Sequence, residues 1–185
     1  MDQVIYEHYN YFHDYDENRS YPFINWSERN KLLGGLWGCR VGASCGWVYI
    51  TNEAIEKMKT LSAEEKAEIE SRLGERMELI WKPLDDCTKF NFILKPWANN
   101  YIVTTFEDYK KLPKMEFEGT EVVDYVQCLR DGIDAIELCA IGDEYEDLST
   151  QEDFDKLDEV FGVHWDCDSI VVLNKDAYEI LDEAC

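Results

Sequence analysis

The run Ser169-Ile170-Val171-Val172-Leu173 (SIVVL) is the most β-prone stretch of the chain, because β-branched side chains favour extended backbone. Upstream of it, residues 133–141 predict another strand, and Ser149 with Glu152 forms an S-x-x-E capping box that predicts a helix ending at Gly162. Downstream, Asp176 is predicted to begin a final helix. The neighbourhood of SIVVL therefore mixes strands with amphipathic helices.

Towards the amino terminus, residues 88–95 (TKFNFILK) alternate apolar and polar side chains, and residues 101–105 do the same after a five-residue loop. This pattern predicts an antiparallel hairpin. Residues 36–41 and 46–51 predict two further strands, joined by a turn that contains glycine.

Five further helices are predicted from their capping residues and apolar stripes, and one of them begins at Asn52 and ends near Leu61. The longest opens at the Ser62–Glu65 capping box. The others are a short helix from Ser27 to Gly34, a helix capped by Thr105 and Asp108, and a helix from Thr120 that stops at Gly132.

Together these elements predict an α+β fold in which antiparallel strands or hairpins pack with amphipathic helices, because they follow no strict βαβ period. A boundary at residues 113–119 predicts two small lobes. Residues 1–113 would form an aromatic-rich α+β lobe and residues 114–185 a strongly acidic α/β lobe. One continuous domain is the alternative.

Charge is the most unusual property of the sequence. The 185 residues include 40 acidic and 18 basic side chains, a net charge of −22, and yet 45% of residues are hydrophobic and 14% aromatic. The chain can therefore build a core, but direct binding to nucleic acid or to an anionic membrane is disfavoured. Residues 101–185 carry 24 acids and 6 bases, a net of −18, so the charge is concentrated in the second half.

The densest acidic clusters are the predicted partner-binding residues, because dense like charge destabilises a compact chain unless a partner or solvent accommodates it. They are Asp143, Glu144, Glu146, Asp147, Glu152, Asp153, Asp155, Asp158 and Glu159. The alternative is a solvated face that aids solubility.

A weaker candidate is a metal site in His164-Trp-Asp-Cys-Asp168. On an extended strand His164, Asp166 and Asp168 would point to one face, and such N and O ligands suit Zn²⁺, Mn²⁺ or Mg²⁺. No further ligands can be identified, and the simpler interpretation is a polar turn before a buried strand.

Other patterns carry little chemistry. Residues 14–25 begin like a calcium-binding loop but have Arg19 and Asn25 where Gly and Glu are needed. Cys45 lies in a turn without an assignable histidine partner. The seven cysteines have no CxxC spacing and are interpreted as reduced, mostly buried thiols.

Because phosphate-loop, dinucleotide-binding, nucleophile-elbow and zinc-protease motifs are all missing from the sequence, we expect neither enzymatic activity nor a cofactor.

The sequence therefore predicts a cytoplasmic interaction protein that inhibits a basic, nucleic-acid-handling enzyme by mimicking nucleic acid. Anti-CRISPR and anti-restriction proteins of phages, and immunity proteins against nucleases, share this acidic composition. The aromatic side chains of residues 6–26 would supply anchoring contacts. The alternatives are a metal-dependent hydrolase that uses His164, Asp166 and Asp168, or a non-catalytic regulatory adaptor. The sequence leaves the oligomeric state open.

Overall fold

A computed structural model of the chain describes residues 3–10, 16–26, 31–43, 56, 59–73, 88–117, 119–139, 151–157, 159–160 and 168–181. Eleven strands are formed within these residues. They are β1 (Ile5–Asn10), β2 (Ile24–Trp26), β3 (Lys31–Leu33), β4 (Leu36–Arg40), β5 (Thr88–Leu94), β6 (Asn100–Val103), β7 (Lys114–Phe117), β8 (Thr120–Val123), β9 (Ala135–Leu138), β10 (Ser169–Val172) and β11 (Tyr178–Leu181).

The helices of the described residues are few and mostly short. They are α1 (Glu17–Ser20), α2 (Ala63–Leu73), α3 (Phe106–Lys111), α4 (Tyr125–Arg130) and α5 (Gln151–Leu157). None of these described helices has the length and apolar character needed to cross a bilayer.

Seven strands form one mixed sheet in the order β11-β5-β1-β4-β10-β9-β6. The SIVVL run supplies β10, which pairs antiparallel with β4 on one side and with β9 on the other. The edge strand β6 pairs with β9 in parallel, and the remaining pairs are antiparallel. Strands from before and from after residues 113–119 are interleaved in this sheet.

The sheet is strongly curled. β5 and β6 are five ladder steps apart, or about 24 Å in a flat sheet with the usual spacing of about 4.8 Å. The connection from Leu94 to Asn100 can span at most about 21 Å when fully extended, and a turn in which Ala98 N–H donates to Lys95 O shortens it well below this limit. The end of β5 and the start of β6 must therefore approach each other.

Each face of the curled sheet has its own apolar core. The concave face carries Tyr6, Leu36, Phe90, Phe92, Ala135, Ile170, Val172 and Tyr178. The convex face packs Val103, Ile136, Leu138, Val171 and Leu173 against Tyr109, Leu112, Val123, Tyr125, Cys128 and Leu157. The second group comes from α3, the β7–β8 hairpin (β7 paired with β8), α4 and α5. We call these elements the helix layer.

The predicted fold class is wrong, because a large mixed sheet dominates and few helices pack on it. The predicted hairpin shows the reason. Residues 88–94 and 100–103 are strands, but β5 pairs with β1 and β11, whereas β6 pairs with β9. An alternating pattern identifies a strand without identifying its neighbour.

Three predicted helices are also replaced by strands. Thr120–Val123 is β8, and the helix begins only after Asp124 caps it. Tyr178–Leu181 is β11 and follows a turn in which Asp176 N–H donates to the Asn174 side chain. Lys31–Leu33 is β3, paired with β2. In the first two cases a short polar residue caps or turns the chain, and this signal does not distinguish a helix start from a strand start.

Other predictions are confirmed. β4, β9 and β10 form where strands were predicted, and α2 follows the Ser62–Glu65 capping box, whose hydrogen bonds are present. The predicted strand at residues 46–51, residues 27–30 of the predicted short helix and residues 52–55, 57 and 58 of the helix predicted from Asn52 lie outside the described residues.

The predicted cap of α3 is also present and gives a test of the fold. Asp108 N–H donates to Thr105 Oγ1 at 3.2 Å, and Thr105 N–H donates to Asp108 Oδ2 at 3.2 Å. Burial raises the pKa of Asp108, but hydrogen bonds from Thr105, Lys111 and Thr104 outweigh burial and lower this pKa overall. The stabilisation is therefore present at neutral pH and is lost as Asp108 becomes protonated in acid.

We expect Thr105→Ala to lower the free energy of unfolding by about 1 kcal/mol, because it removes the capping hydroxyl. Thr105→Ser keeps the hydroxyl and should be nearly neutral. Urea unfolding at pH 7 measures both, and equal losses for the two variants would contradict the assigned cap.

Candidate functional site

The outer side of the helix layer is the first candidate site. Its elements turn buried side chains towards the sheet, so their charged side chains face away from it. Within residues 104–117, 119–131, 151–157 and 159–160 there are ten acidic and five basic side chains, a net of −5. The exposed acids are Glu107, Glu116, Glu121, Asp131, Glu152, Asp155 and Glu159. We call these seven residues the acidic surface.

α5 contributes the most concentrated part of the acidic surface. Leu157 is fully buried, whereas the Glu152 side chain is 78% exposed and forms an ion pair with Lys156 one turn later. The hydrogen bond from Lys156 lowers the pKa of Glu152 and keeps this carboxylate ionised. Asp153 is partly exposed and Asp155 is exposed. This helix therefore offers three carboxylates and a single ammonium group.

α3 lies against α5 and continues the acidic surface. Lys110 pairs with Glu107 and Lys111 with Asp108, both within α3. The Nζ atom of Lys156 lies 5.8 Å from the centre of the Phe106 ring of α3. The hydrogen bond to Glu152 and the charge of Glu152 raise the pKa of Lys156, and the charge of Glu107 adds a smaller effect in the same direction. The lysines of the two helices are thus engaged with neighbouring carboxylates.

The β7–β8 hairpin places two carboxylates directly opposite each other. Glu116 pairs with Glu121 in the antiparallel register, and both side chains are exposed. Like charges at directly opposed positions destabilise a hairpin by a few tenths of a kcal/mol to about 1 kcal/mol. Of the two remaining bases of the helix layer, Arg130 is exposed, whereas Lys114 is turned inwards and donates to Tyr109 O at 2.5 Å and to Leu112 O at 2.8 Å.

The structure therefore describes part of the predicted partner-binding set. It places Glu152, Asp153, Asp155 and Glu159 on the helix layer. The remaining predicted residues, Asp143, Glu144, Glu146, Asp147 and Asp158, lie outside the described residues. Sequence analysis did not assign Glu107, Glu116, Glu121 or Asp131 to the site, although Glu116 and Glu121 were visible as acids close in sequence.

The metal candidate stays a prediction, because two of its three residues lie outside the part of the chain that the structure describes. His164 and Asp166 lie outside the described residues, and Asp168 is buried immediately before β10. Among the described residues no group of three or more His, Cys, Asp or Glu side chains is arranged to hold a metal ion. Cys45 also lies outside them, whereas Cys39, Cys128 and Cys139 are free and buried. Burial raises the pKa of the Cys128 thiol to about 12, so this thiol is not a nucleophile at neutral pH.

A second cluster lies on the concave face, where Glu137 is only 2% exposed. Its Oε2 atom accepts hydrogen bonds from Tyr6 Oη at 2.9 Å and from Asn100 Nδ2 at 2.7 Å. Its Oε1 atom accepts from Arg40 Nε at 2.5 Å. We call Tyr6, Arg40, Asn100 and Glu137 the concave network.

The concave network connects four strands, β1, β4, β6 and β9, across the curled sheet. Burial, and secondarily the negative charge of Glu137, raise the pKa of Tyr6, so this tyrosine remains a hydroxyl donor. Nearby in β1, burial lowers the pKa of His8. This effect outweighs the hydrogen bond between His8 Nδ1 and Trp37 O, 2.6 Å long, which by itself would raise the pKa. With three donors already on its carboxylate, Glu137 is engaged in holding strands together.

One feature of the sequence points to this network. Glu137 is the one charged residue within the apolar run Ala135–Ala140, and a buried acid needs a basic or hydrogen-bonding partner. Its partners Tyr6 and Arg40 are about a hundred residues away in the chain and could not be identified from sequence.

Comparisons of the chain with protein-family models, with curated proteins and with solved structures give no match.

Proposed function

We propose that the protein is an acidic interaction protein that binds and inhibits a basic, nucleic-acid-handling enzyme through the acidic surface of its helix layer. The observation that supports this proposal most is the exposure of these carboxylates together with the local pairing of Lys110, Lys111 and Lys156. The layer thus keeps a net negative charge on its outer side.

The physical argument is electrostatic complementarity. Clustered carboxylates present a basic cleft with a field of the same sign as that of a phosphate backbone, which accelerates association and competes with nucleic acid. The opposed pair Glu116 and Glu121 fits this role, because its mutual repulsion would be relieved when a cation of the partner lies between the two carboxylates.

The proposed partner is a basic protein rather than nucleic acid or a membrane, and the proposed location is the cytoplasm, where buried free thiols such as Cys39 and Cys128 remain reduced. An anti-defence protein of the anti-CRISPR or anti-restriction type and a nuclease-immunity protein are the functional classes that fit this chemistry.

Charge reversal on the acidic surface tests the proposal. We expect the double variant Asp155→Lys and Glu159→Lys to weaken inhibition by about tenfold or more at low ionic strength, because four units of charge change on the acidic surface. The probe is a panel of purified basic nucleases and restriction enzymes, assayed for cleavage of duplex DNA with increasing amounts of the protein.

The matched control is the double variant Asp176→Lys and Glu179→Lys. It changes the net charge by the same amount at two exposed residues outside the helix layer. Inhibition reduced equally by both variants would mean that the total charge matters and the helix layer does not. A wild-type protein that inhibits no basic enzyme of the panel would overturn the proposal.

A further inference from the structure

The edge strand β6 presents unpaired backbone groups on its outer side. Ala135 N–H donates to Asn99 O at 3.2 Å and Cys139 N–H donates to Val103 O at 2.9 Å. In a parallel ladder every second residue of a strand bonds to the same neighbour, so residues 99, 101 and 103 direct their backbone groups towards β9. The N–H and C=O groups of Asn100 and Ile102 therefore point away from the sheet, where the described part of the chain supplies no further strand.

Apolar side chains are exposed beside this edge. Ile102, at the middle of β6, is 43% exposed, and Trp97 in the preceding loop is 57% exposed. An edge strand with free backbone groups and exposed apolar side chains is a template for pairing with another extended segment. Peptides bound in this way gain affinity from main-chain hydrogen bonds and specificity from side-chain contacts.

Charge determines which segment fits. β6 contacts α3, whose Glu107 side chain is 68% exposed, and α3 in turn contacts the acidic helix α5. A second copy of the chain would bring another net charge of −22 to this edge, which opposes self-association at low ionic strength. A segment with basic side chains would be attracted to the same place.

We propose that the β6 edge binds an extended, basic segment of the partner protein as an added strand. This inference rests on the proposed function, since it names the part of the basic partner that is recognised. The backbone of Asn100 and Ile102 supplies the hydrogen bonds, Trp97 and Ile102 supply the apolar contacts, and the adjacent acidic surface binds the basic side chains.

The experiment uses the full chain and a synthetic eight-residue peptide of alternating Lys and Val. Amide hydrogen exchange by NMR is measured first. In the free protein Ile102 N–H should exchange faster than Tyr101 and Val103 N–H, and saturating peptide should slow the exchange of Ile102 at least tenfold. A peptide with Pro at alternate positions, which cannot pair as a strand, should leave it unchanged.

Ile102→Pro provides the matching variant. It removes the outward N–H group while leaving the N–H groups that bond to β9, and we expect it to weaken peptide binding at least tenfold. Ile102→Val keeps the N–H group and should bind within about twofold of wild type. If the Val103 N–H group exchanges at the same rate in the proline variant as in wild type, β6 is still paired with β9. The exchange measurement on the wild-type protein does not depend on any variant.

The outcomes separate this inference from the proposed function. Absent peptide binding, or binding without slower exchange at Ile102, overturns the added strand. A slow Ile102 amide in a free protein that sediments as a dimer also overturns it, because a second copy would then occupy the edge. If Asp155→Lys with Glu159→Lys still weakens inhibition in that case, the proposed function stands without the added strand.

Discussion

Glu137→Ala is expected to lower the free energy of unfolding by about 3 kcal/mol. The change removes the shared acceptor of Tyr6, Arg40 and Asn100, and donors left unsatisfied in a buried site carry most of the cost. This loss of unfolding free energy is at the low end of the range for breaking a buried ion pair, because the Arg40 side chain is 28% exposed and can be partly hydrated after the change. Urea unfolding followed by circular dichroism measures the loss.

Two further variants make this result specific. Glu137→Gln keeps an oxygen acceptor of the same shape and should cost clearly less than the alanine change. Glu179→Ala removes an exposed acid of β11 and should stay within about 0.5 kcal/mol of wild type. Equal losses for Glu137→Ala and Glu179→Ala would show that the concave network does not hold the sheet.

The second large effect is expected for Gly38→Ala on β4. A Cβ atom at this position would lie 2.6 Å from Phe92 Cε1 and 2.9 Å from the backbone oxygen of Glu7. Phe92 is fully buried, so its ring cannot move aside freely. Because overpacking a filled core costs about 1–3 kcal/mol, and backbone is involved here, we expect a loss near 3 kcal/mol in urea unfolding.

Gly119→Ala is the matched control, since no atom lies within 4 Å of its added Cβ and its cost comes only from a positive φ of +83°. We expect about 1 kcal/mol there. Phe92→Leu should recover part of the loss in the Gly38→Ala background, although the contact with Glu7 remains. A Gly38→Ala variant as stable as Gly119→Ala would contradict the packing of Phe92 over β4.

Both effects arise on the concave face, and their consequence for function lies on the convex face. The concave network and the Phe92–Gly38 contact fix how the strands lie across the curled sheet. The convex face of the same strands carries the helix layer, whose buried side chains Tyr125 and Leu157 belong to the same apolar core as Leu138 and Val171. A stable sheet therefore holds the acidic surface in a fixed arrangement before any partner binds.

Sequence analysis identified strands better than it identified their neighbours. The β-branched residues of β10 and the alternation of β5 predict extended backbone directly. Pairing of β1 with β4 and β5, or of β6 with β9, depends on contacts between distant parts of the chain that no local pattern contains. The fold class was wrong for this reason, and because β11 was interpreted as a helix.

The site was predictable to a similar degree. The capping box and apolar stripe of α5 predicted that its acids would face outwards, and Glu152 and Asp155 are exposed. The neighbouring position of Glu107 on α3, the direct opposition of Glu116 and Glu121 and the burial of Glu137 all depend on tertiary packing. Net charge alone therefore could not separate surface carboxylates from the one that holds four strands together.

The most direct test of the central claim is the affinity for an inhibited basic nuclease, measured from 50 to 300 mM NaCl with and without duplex DNA as a competitor. We predict that the affinity falls steeply as the salt concentration increases, because the added ions shorten the Debye length and screen the charges of the acidic surface. Duplex DNA should compete for the same enzyme, and Asp155→Lys with Glu159→Lys should flatten the salt dependence. An affinity that is independent of salt and unaffected by DNA would contradict the proposal that the helix layer acts as a nucleic-acid mimic.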